Sequence, residues 1–123
     1  MKILITGSLG LIGSTISNFY LNRNIEVLGV DNDQRKIFFG ENASNKKNLE
    51  LLNSKKNYSH FDIDIRDKDQ IENIFFKNKD IEMIVHCAAQ PSHDWARENK
   101  MIDFEKNAIA TLNLLEISKN NLN

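Results

Sequence analysis

The chain has 123 residues, of which 41% are hydrophobic and 27% charged, and its formal net charge is −1. That length accommodates one domain with a real core, and the balanced charge argues against a nucleic-acid binder or a basic membrane-recruiting surface. The single cysteine, Cys87, excludes an internally disulfide-bonded secreted scaffold. No apolar run reaches the ~20 residues of a membrane span, and glycines interrupt the apolar N-terminal stretch, so we expect a cytoplasmic protein without a signal peptide.

The first third of the chain predicts a strand, a helix and a second strand. The apolar run at residues 2–6 (KILIT) ends in Gly7 and predicts a buried strand. A helix is expected at residues 11–23, and residues 25–30 predict a second strand that ends at an acidic turn beginning with Asp31. Helical spacing places four apolar side chains on the inner face of that helix, namely Ile12, Ile16, Phe19 and Tyr20.

The rest of the chain continues the alternation. The elements expected there are a short helical piece near residues 49–53, a strand at 58–63, a helix capped by Asp67, a strand at 81–88 and a helix at about 100–119. Gln70 stands three residues after Asp67, which is the spacing of a capping box. The inner face of the capped helix is expected to hold Ile71, Ile74 and Phe75.

Strands that alternate with helices predict a parallel sheet with right-handed crossover connections. The expected fold class is α/β, a Rossmann-like doubly wound parallel sheet with strand order 3-2-1-4 and the first strand central. A single domain over residues 1–123 would then carry its ligand site at the carboxyl ends of the strands.

Three glycines form the first chemical motif. Gly7, Gly10 and Gly13 have the spacing G-x-x-G-x-x-G directly between the first strand and the first helix. Gly7 allows the tight turn, Gly10 lets backbone N–H groups approach a pyrophosphate, and Gly13 lets the helix pack closely on the sheet. The positive end of the helix dipole favours an anion at the same place. The motif predicts a dinucleotide site, and a glycine-rich turn without a ligand is the alternative.

Two carboxylates extend this predicted site. Asp31 follows the second strand, where it can accept hydrogen bonds from both ribose hydroxyls and would repel a 2′-phosphate. NAD is therefore favoured over NADP, although the nearby Arg35 softens that preference; the alternative for Asp31 is a turn that only ends the strand. Asp64, after the third strand, would lie near the adenine, whereas Asp67 is expected to cap a helix.

These motifs together resemble a known superfamily. The glycine loop, Asp31, Asp-Ile-Arg at residues 64–66 and His-Cys-Ala-Ala at residues 86–89 resemble extended short-chain dehydrogenases/reductases, which include the NAD-dependent nucleotide-sugar epimerases and dehydratases. Residues 89–96 (AQPSHDWA) and 38–40 (FFG) resemble the subgroup described as CDP-paratose 2-epimerase-like, or CDP-tyvelose-forming. The resemblance covers essentially the whole chain.

The resemblance implies NAD as the cofactor and assigns its contacts. The pyrophosphate would lie against Gly7, Gly10, Leu11 and Ile12, the adenosine ribose against Asp31, the adenine against Asp64 and Ile65, and the nicotinamide ribose against Ala88, Ala89 and Gln90. It also places a loop with Ser92, His93 and Trp95 on the nucleotide-sugar side, and the alternative is a loop that only caps the sheet. His86 is expected to be structural, and His60 to be exposed and inert.

The residues that carry catalysis in that superfamily are missing from this chain. Its members use a tyrosine, followed four residues later by a lysine, to remove a proton from a sugar hydroxyl. Here Tyr20 is followed at that spacing by Asn24, and Tyr58 by Asp62. No catalytic residue and no metal site is predicted. The expected function is the N-terminal NAD-binding portion of a nucleotide-sugar epimerase or dehydratase, inactive alone, with a C-terminal catalytic and substrate-binding region absent.

Other interpretations remain open at this point. The alternatives are a stand-alone dinucleotide-binding module and a non-functional truncated remnant, and within the superfamily a 4,6-dehydratase or 4-epimerase competes with the 2-epimerase. The fourth strand would form an apolar edge, which favours pairing with another chain. The last helix is apolar on more than one face, with one stripe formed by Phe104, Ala108, Thr111, Leu112 and Leu115. We therefore expect a homodimer or other self-association.

Overall fold

The computed structural model describes residues 1–121, which form a parallel sheet covered by helices. The strands are β1 (Lys2–Thr6), β2 (Glu26–Val30), β3 (Tyr58–Phe61) and β4 (Ile81–His86). The helices are α1 (Leu11–Leu21), α2 (Arg35–Phe39), α3 (Lys46–Asn53), α4 (Lys68–Lys77), α5 (His93–Glu98), α6 (Lys100–Phe104) and α7 (Ala110–Asn121). A 3₁₀ turn occupies Glu41–Ala43, and a π-helical turn at Glu105–Ile109 joins α6 to α7.

The strand order is β3-β2-β1-β4, as the sequence predicts. β1 pairs in parallel with β2 on one side, where Leu4 faces Leu28, and with β4 on the other, where Leu4 faces Ile84. Because every strand runs in the same direction, the loops after β1, β2, β3 and β4 all leave at one edge of the sheet. That edge is where the predicted site residues meet.

Alternating side chains of β1 build a core on each face of the sheet. Ile3 and Ile5 belong to the core beneath α1 and α3, whereas Leu4 belongs to the core beneath α4 and α7. The predicted inner face of α4 is confirmed, since Ile71, Ile74 and Phe75 are all buried. The cap of α4 is also confirmed, because the Asp67 side chain accepts a hydrogen bond from the Gln70 N–H at 3.1 Å. Helices therefore cover both faces, as in a doubly wound fold.

The predicted inner face of α1 is confirmed for Ile16 and Tyr20, which pack against the core, and is wrong for its other two residues. Ile12 and Phe19 are exposed, and the helix instead buries its small residues Gly13, Ser14 and Ser17. A Cβ added at Gly13 would lie 2.1 Å from the carbonyl oxygen of Gly7, so only the small face can come this close to the end of β1. Close packing of the small residues on the sheet therefore turns the helix away from the orientation that hydrophobic spacing alone predicts.

The last helix is continuous but irregular. Its buried face consists of Lys106, Ala110, Leu114 and Ile117, while Phe104, Leu112 and Leu115 of the predicted stripe stay exposed. The expectation of a helix with more than one apolar face therefore holds. Two short helices, α2 and α5, were not expected from the sequence. Along residues 1–121, no helix combines the length and the apolar character needed to cross a membrane.

Candidate cofactor-binding cleft

A cleft of about 260 Å³ opens at the carboxyl edge of the sheet. Most of the predicted cofactor residues line it, namely Gly7, Gly10, Leu11, Ile12, Gly13, Asp31, Asp64, Ile65, Ala88 and Ala89. Gln90 does not: its N–H donates to the Asn107 Oδ1 at 3.0 Å, and its side chain donates to the Ser92 carbonyl at 2.7 Å. The topology thus brings together residues from four separate loops.

The glycine loop makes the floor of the cleft. Gly7 has a φ of +65°, and a Cβ there would lie 2.7 Å from the backbone of Cys87 and of Ala88. A Cβ at Gly10, by contrast, would meet nothing closer than the Gly7 carbonyl oxygen at 3.4 Å. Gly7 and Gly13 therefore serve backbone packing, whereas Gly10 keeps the cleft free of a side chain.

The N-terminus of α1 points its free amides at this floor. Gly10 is the N-cap residue and provides no side-chain hydrogen bond, and no acidic residue occupies the first turn. The backbone N–H groups of residues 11–13 therefore have no partner within the helix. Leu11 and Ile12 expose apolar side chains beside them, with 82% and 60% of each residue accessible. Such a helix start is suited to a phosphate group.

Asp31 stands at the end of β2 with its carboxylate held by backbone amides. Oδ2 accepts from the Leu9 N–H at 3.0 Å, and Oδ1 accepts from the Asp33 N–H at 2.7 Å. Burial raises the pKa of Asp31, although both amides counteract that effect. Each carboxylate oxygen keeps a further acceptor position, so the group can still take hydrogen bonds from a diol.

Asp64 is placed beside the cleft but is already engaged. Oδ1 accepts from the backbone and side-chain N–H groups of Arg66, and Oδ2 accepts from the Arg66 guanidinium at 2.9 Å and from the Gln34 amide at 2.8 Å. Burial works to raise the pKa of Asp64, but the hydrogen bonds and charge of Arg66 outweigh it and hold the pKa at about 2. A carboxylate has about four acceptor positions, so a base amino group must displace Gln34 to bond here.

Comparison with known proteins decides the family. Residues 3–122 match the sequence model of the NAD dependent epimerase/dehydratase family. The chain belongs to the NAD-dependent epimerase/dehydratase family. The resemblance read from the glycine loop, Asp31 and the Asp-Ile-Arg segment is thereby confirmed at the level of the family.

Individual relatives within the family include enzymes of more than one specificity. The CDP-paratose 2-epimerase of Salmonella typhi is 34% identical over 116 residues, which cover 94% of this chain and 32% of that protein. A putative UDP-glucose 4-epimerase of Methanocaldococcus jannaschii is 36% identical over 117 residues, covering 95% and 33%. The UDP-glucose 4-epimerase of Thermus thermophilus, solved in complex with NAD, matches with a TM-score of 0.77 and 32% identity over 98% of this chain and 34% of that chain. The chain spans about a third of the length of these relatives.

The two tyrosines of this family member lie away from the cleft. The Tyr58 hydroxyl is buried between Ser8 Oγ at 3.1 Å and His60 Nδ1 at 3.2 Å, and burial raises the pKa of Tyr58 to about 12. The Tyr20 hydroxyl donates to the Met83 sulfur at 3.7 Å. Neither borders the cleft, so neither can act there as a base.

The histidines and the cysteine have structural surroundings. His60 was expected to be exposed, but it is half-buried beside Asp31 because Tyr58 binds it. His86 links β1 to α7, since its ring nitrogens lie 2.6 Å from the Thr6 hydroxyl and 3.0 Å from the Thr111 hydroxyl. Burial raises the pKa of the Cys87 thiol, which makes it a poor nucleophile. Within residues 1–121 no group of three or more potential ligands could hold a metal ion.

The predicted substrate-side loop forms α5. The Ser92 hydroxyl caps this helix by accepting from the Trp95 N–H at 3.3 Å. The Trp95 ring packs edge-on against Phe38, with 4.8 Å between ring centroids. His93 is exposed and free of these internal contacts. The contact between Trp95 and Phe38 joins the loop after β2 to the loop after β4.

Several residues that line the cleft were not predicted as site residues from the sequence, among them Gln34, Asn45 and Lys106. Gln34 and Asn45 fall in the stretch that sequence patterns describe least, and only the tertiary fold brings them to the cleft. Lys106 could have been found from its spacing in the sequence, because it precedes Ala110 by one helical turn on the face that also holds Leu114 and Ile117. A charged residue on a core-facing stripe of a helix is unusual.

Proposed function

We propose that the cleft binds NAD. The observation that carries this proposal is the convergence, at one edge of the sheet, of the uncapped N-terminus of α1 and the carboxylate of Asp31. The amides at the start of the helix suit a pyrophosphate, and Asp31 retains acceptor positions for a ribose diol. The open side of Gly10 leaves the space that a diphosphate needs. Membership of a family described as NAD dependent supports the same cofactor.

The remaining predicted contacts belong to this proposal. The adenine would lie against Ile65, with Asp64 available only after Gln34 moves, and the nicotinamide ribose would lie against Ala88 and Ala89. Gln90 stands next to that end of the cleft through its bond to Asn107. NAD itself would supply hydride transfer when bound, while this chain's residues bind and orient it.

Calorimetric titration with NAD tests the proposal. Saturable binding is expected, and Asp31→Asn should weaken it about tenfold because a ribose hydrogen bond to a charged group contributes about 1.5 kcal/mol. The same variant should narrow the preference for NAD over NADP, since it removes the charge that repels a 2′-phosphate. Asp69→Asn, on the exposed first turn of α4, is the matched control and should bind as the wild type does. Absence of binding at millimolar NAD would contradict the proposal and favour a non-functional remnant.

We also propose that residues 1–123 act as the cofactor-binding portion of a nucleotide-sugar epimerase or dehydratase and are inactive alone. Similarity to a CDP-paratose 2-epimerase and to a dTDP-glucose 4,6-dehydratase supports nucleotide sugars as the substrate class. Because of the S. typhi relative, a CDP-sugar is the first substrate to test. In this proposal the exposed His93 faces the sugar nucleotide. Incubation of the chain with NAD and a CDP- or UDP-hexose should leave the sugar unchanged by NMR, because neither tyrosine borders the cleft. Turnover would contradict this account.

We propose that the chain self-associates. β4 lies at an edge of the sheet, and Phe104, Leu112 and Leu115 expose more than half of each residue along one side of the last helix. A second copy of the same helix would cover this stripe. Sedimentation at tens of micromolar should show a dimer or larger species, and Leu115→Glu should shift it to monomer. A wild-type monomer at that concentration would overturn the proposal.

A further inference from the structure

Among residues 1–121, the ammonium group of the buried Lys106 has no hydrogen-bond or ion-pair partner. Only 5% of the residue is accessible, although its position borders the cleft. In this part of the chain no carboxylate oxygen lies within salt-bridge distance of its Nζ, which stands 5.0 Å from the centroid of the Phe38 ring. Burial lowers the pKa of Lys106.

The neighbouring charges are already paired with each other. Asp64 is saturated by Arg66 and Gln34, and the Arg66 guanidinium bridges Asp64 and Glu105, the latter at 3.2 Å. Asp64 therefore attracts Lys106 only at a distance, while Arg66 repels it. Burial of most of the residue disfavours its charge, but the ammonium itself keeps some contact with solvent, because no fully buried side-chain nitrogen in the described part of the chain lacks a hydrogen-bond partner. Lys106 therefore holds at the cleft an ammonium that no carboxylate of the described residues pairs with.

The backbone directs this side chain to the cleft. Lys106 lies in the π-helical turn, and π turns inside α-helices frequently mark functional sites because the extra residue re-aims its neighbours. The next residue, Asn107, holds the loop after β4 through its bond to the Gln90 N–H. The π-helical turn thus carries both Lys106, which lines the cleft, and Asn107, which holds the loop after β4.

Among the described residues that line the cleft, Arg35 is the one basic side chain besides Lys106. The glycine loop offers only backbone amides, since residues 7–13 contain no basic side chain. Arg66 is engaged, and Arg35 is exposed with its guanidinium 5.1 Å from the Phe39 ring centroid. A diphosphate at the start of α1 carries negative charge that these amides alone only partly balance.

We propose that Lys106 binds a phosphate oxygen of the dinucleotide and is a determinant of its affinity in this chain. The inference rests on the proposed function, because it takes the cleft to be the NAD site. Binding would give the ammonium the anionic partner that the free chain does not provide. Phe38, which lies against both Lys106 and Trp95, lines the same cleft.

Lys106→Met tests this with two readouts of opposite sign. Affinity for NAD and for ADP should fall about tenfold, while the melting temperature without ligand should stay the same or rise, since an ammonium without a protein partner is replaced by an apolar chain of similar length. Lys106→Arg should keep most of the affinity. Lys77→Met, on the exposed end of α4, is the control and should change neither quantity.

Adenosine separates a phosphate contact from a base contact. Its weak binding, followed by NMR shifts, should be unchanged in Lys106→Met; an equal loss for adenosine and ADP would overturn the proposal in favour of a base contact. A fall in both melting temperature and affinity would also overturn it, because that pattern marks a structural lysine.

If the wild type binds NAD and Asp31→Asn weakens that binding, while Lys106→Met binds NAD normally, only this inference fails. If the wild type binds neither NAD nor ADP, the proposed function itself fails.

Discussion

At the scale of single residues, two glycines of one motif have separable roles. Gly13 lies against the Gly7 carbonyl group, whereas Gly10 faces the open cleft. Both glycines belong to the same G-x-x-G-x-x-G motif of residues 7–13, but the atoms that surround each of them differ. Substitution of each glycine by alanine, which adds one methyl group, measures this difference.

We predict that Gly13→Ala and Gly10→Ala fail in different ways. The added methyl group at Gly13 would lie 2.1 Å from a backbone oxygen that cannot move aside, so the free energy of unfolding should fall by roughly 1–3 kcal/mol. At Gly10 the φ of −68° suits alanine and the space is free, so stability should be kept while NAD affinity falls. Denaturant unfolding and calorimetry measure the two effects. Equal stability losses would contradict this division of roles.

Tyr58 gives a second prediction at this scale. Its hydroxyl joins the buried Ser8, within the glycine loop, to His60 on β3. Tyr58→Phe leaves the Ser8 hydroxyl without its partner, which should lower the free energy of unfolding by about 1–3 kcal/mol. Tyr20→Phe is the control, because that hydroxyl meets only a methionine sulfur, and it should cost less. If the two variants are equally stable, the hydroxyl network does not support the loop.

At the scale of elements, the sequence predicts those features that depend on residues within one helical turn of each other. The cap of α4 followed from Asp67 and Gln70 alone, because a side-chain acceptor and its amide donor lie within one turn. The inner face of α1 followed only for Ile16 and Tyr20, because the close approach of Gly13 to β1 is a tertiary constraint that leaves Ile12 and Phe19 exposed. The π turn that aims Lys106 has no local signature at all.

The N-terminal cap of α4 gives a testable prediction about this helix. Asp67→Ala removes the acceptor of the Gln70 N–H and should lower the free energy of unfolding by about 1 kcal/mol. Asp67→Ser supplies another capping acceptor and should restore most of the loss. Thermal unfolding followed by circular dichroism measures both, and no difference between alanine and serine would show that the cap does not stabilise α4.

At the scale of the whole molecule, the fold could be predicted further than the site. The alternation of strands and helices predicts a parallel sheet, and the dinucleotide-binding pattern adds the order 3-2-1-4, which places Asp31 and the glycine loop together. Sequence patterns could not show that Asp64 is saturated by Gln34 and Arg66, since Gln34 lies in a segment without hydrophobic periodicity.

Stability should depend on pH through the two half-buried histidines. Burial lowers the pKa of His60 and of His86 in the folded chain, whereas the unfolded value is about 6.5. Below that pH the unfolded chain takes up protons that the folded chain resists, so the melting temperature should fall as the pH drops from about 7.5 to about 5.5. His86→Asn should reduce this fall, and His93→Asn, at an exposed position, should leave it unchanged. A melting temperature that rises over this range would contradict the argument.

The central claim is that the cleft at the carboxyl edge of the sheet binds NAD, and backbone NMR during a titration with NAD tests it most directly. The account predicts saturable shifts of the amides of residues 7–13, of Asp31 and Asp33, and of Ala88 and Ala89, with the exposed end of α4 unaffected. No shifts at millimolar NAD, or saturable shifts confined to other surfaces, would contradict it.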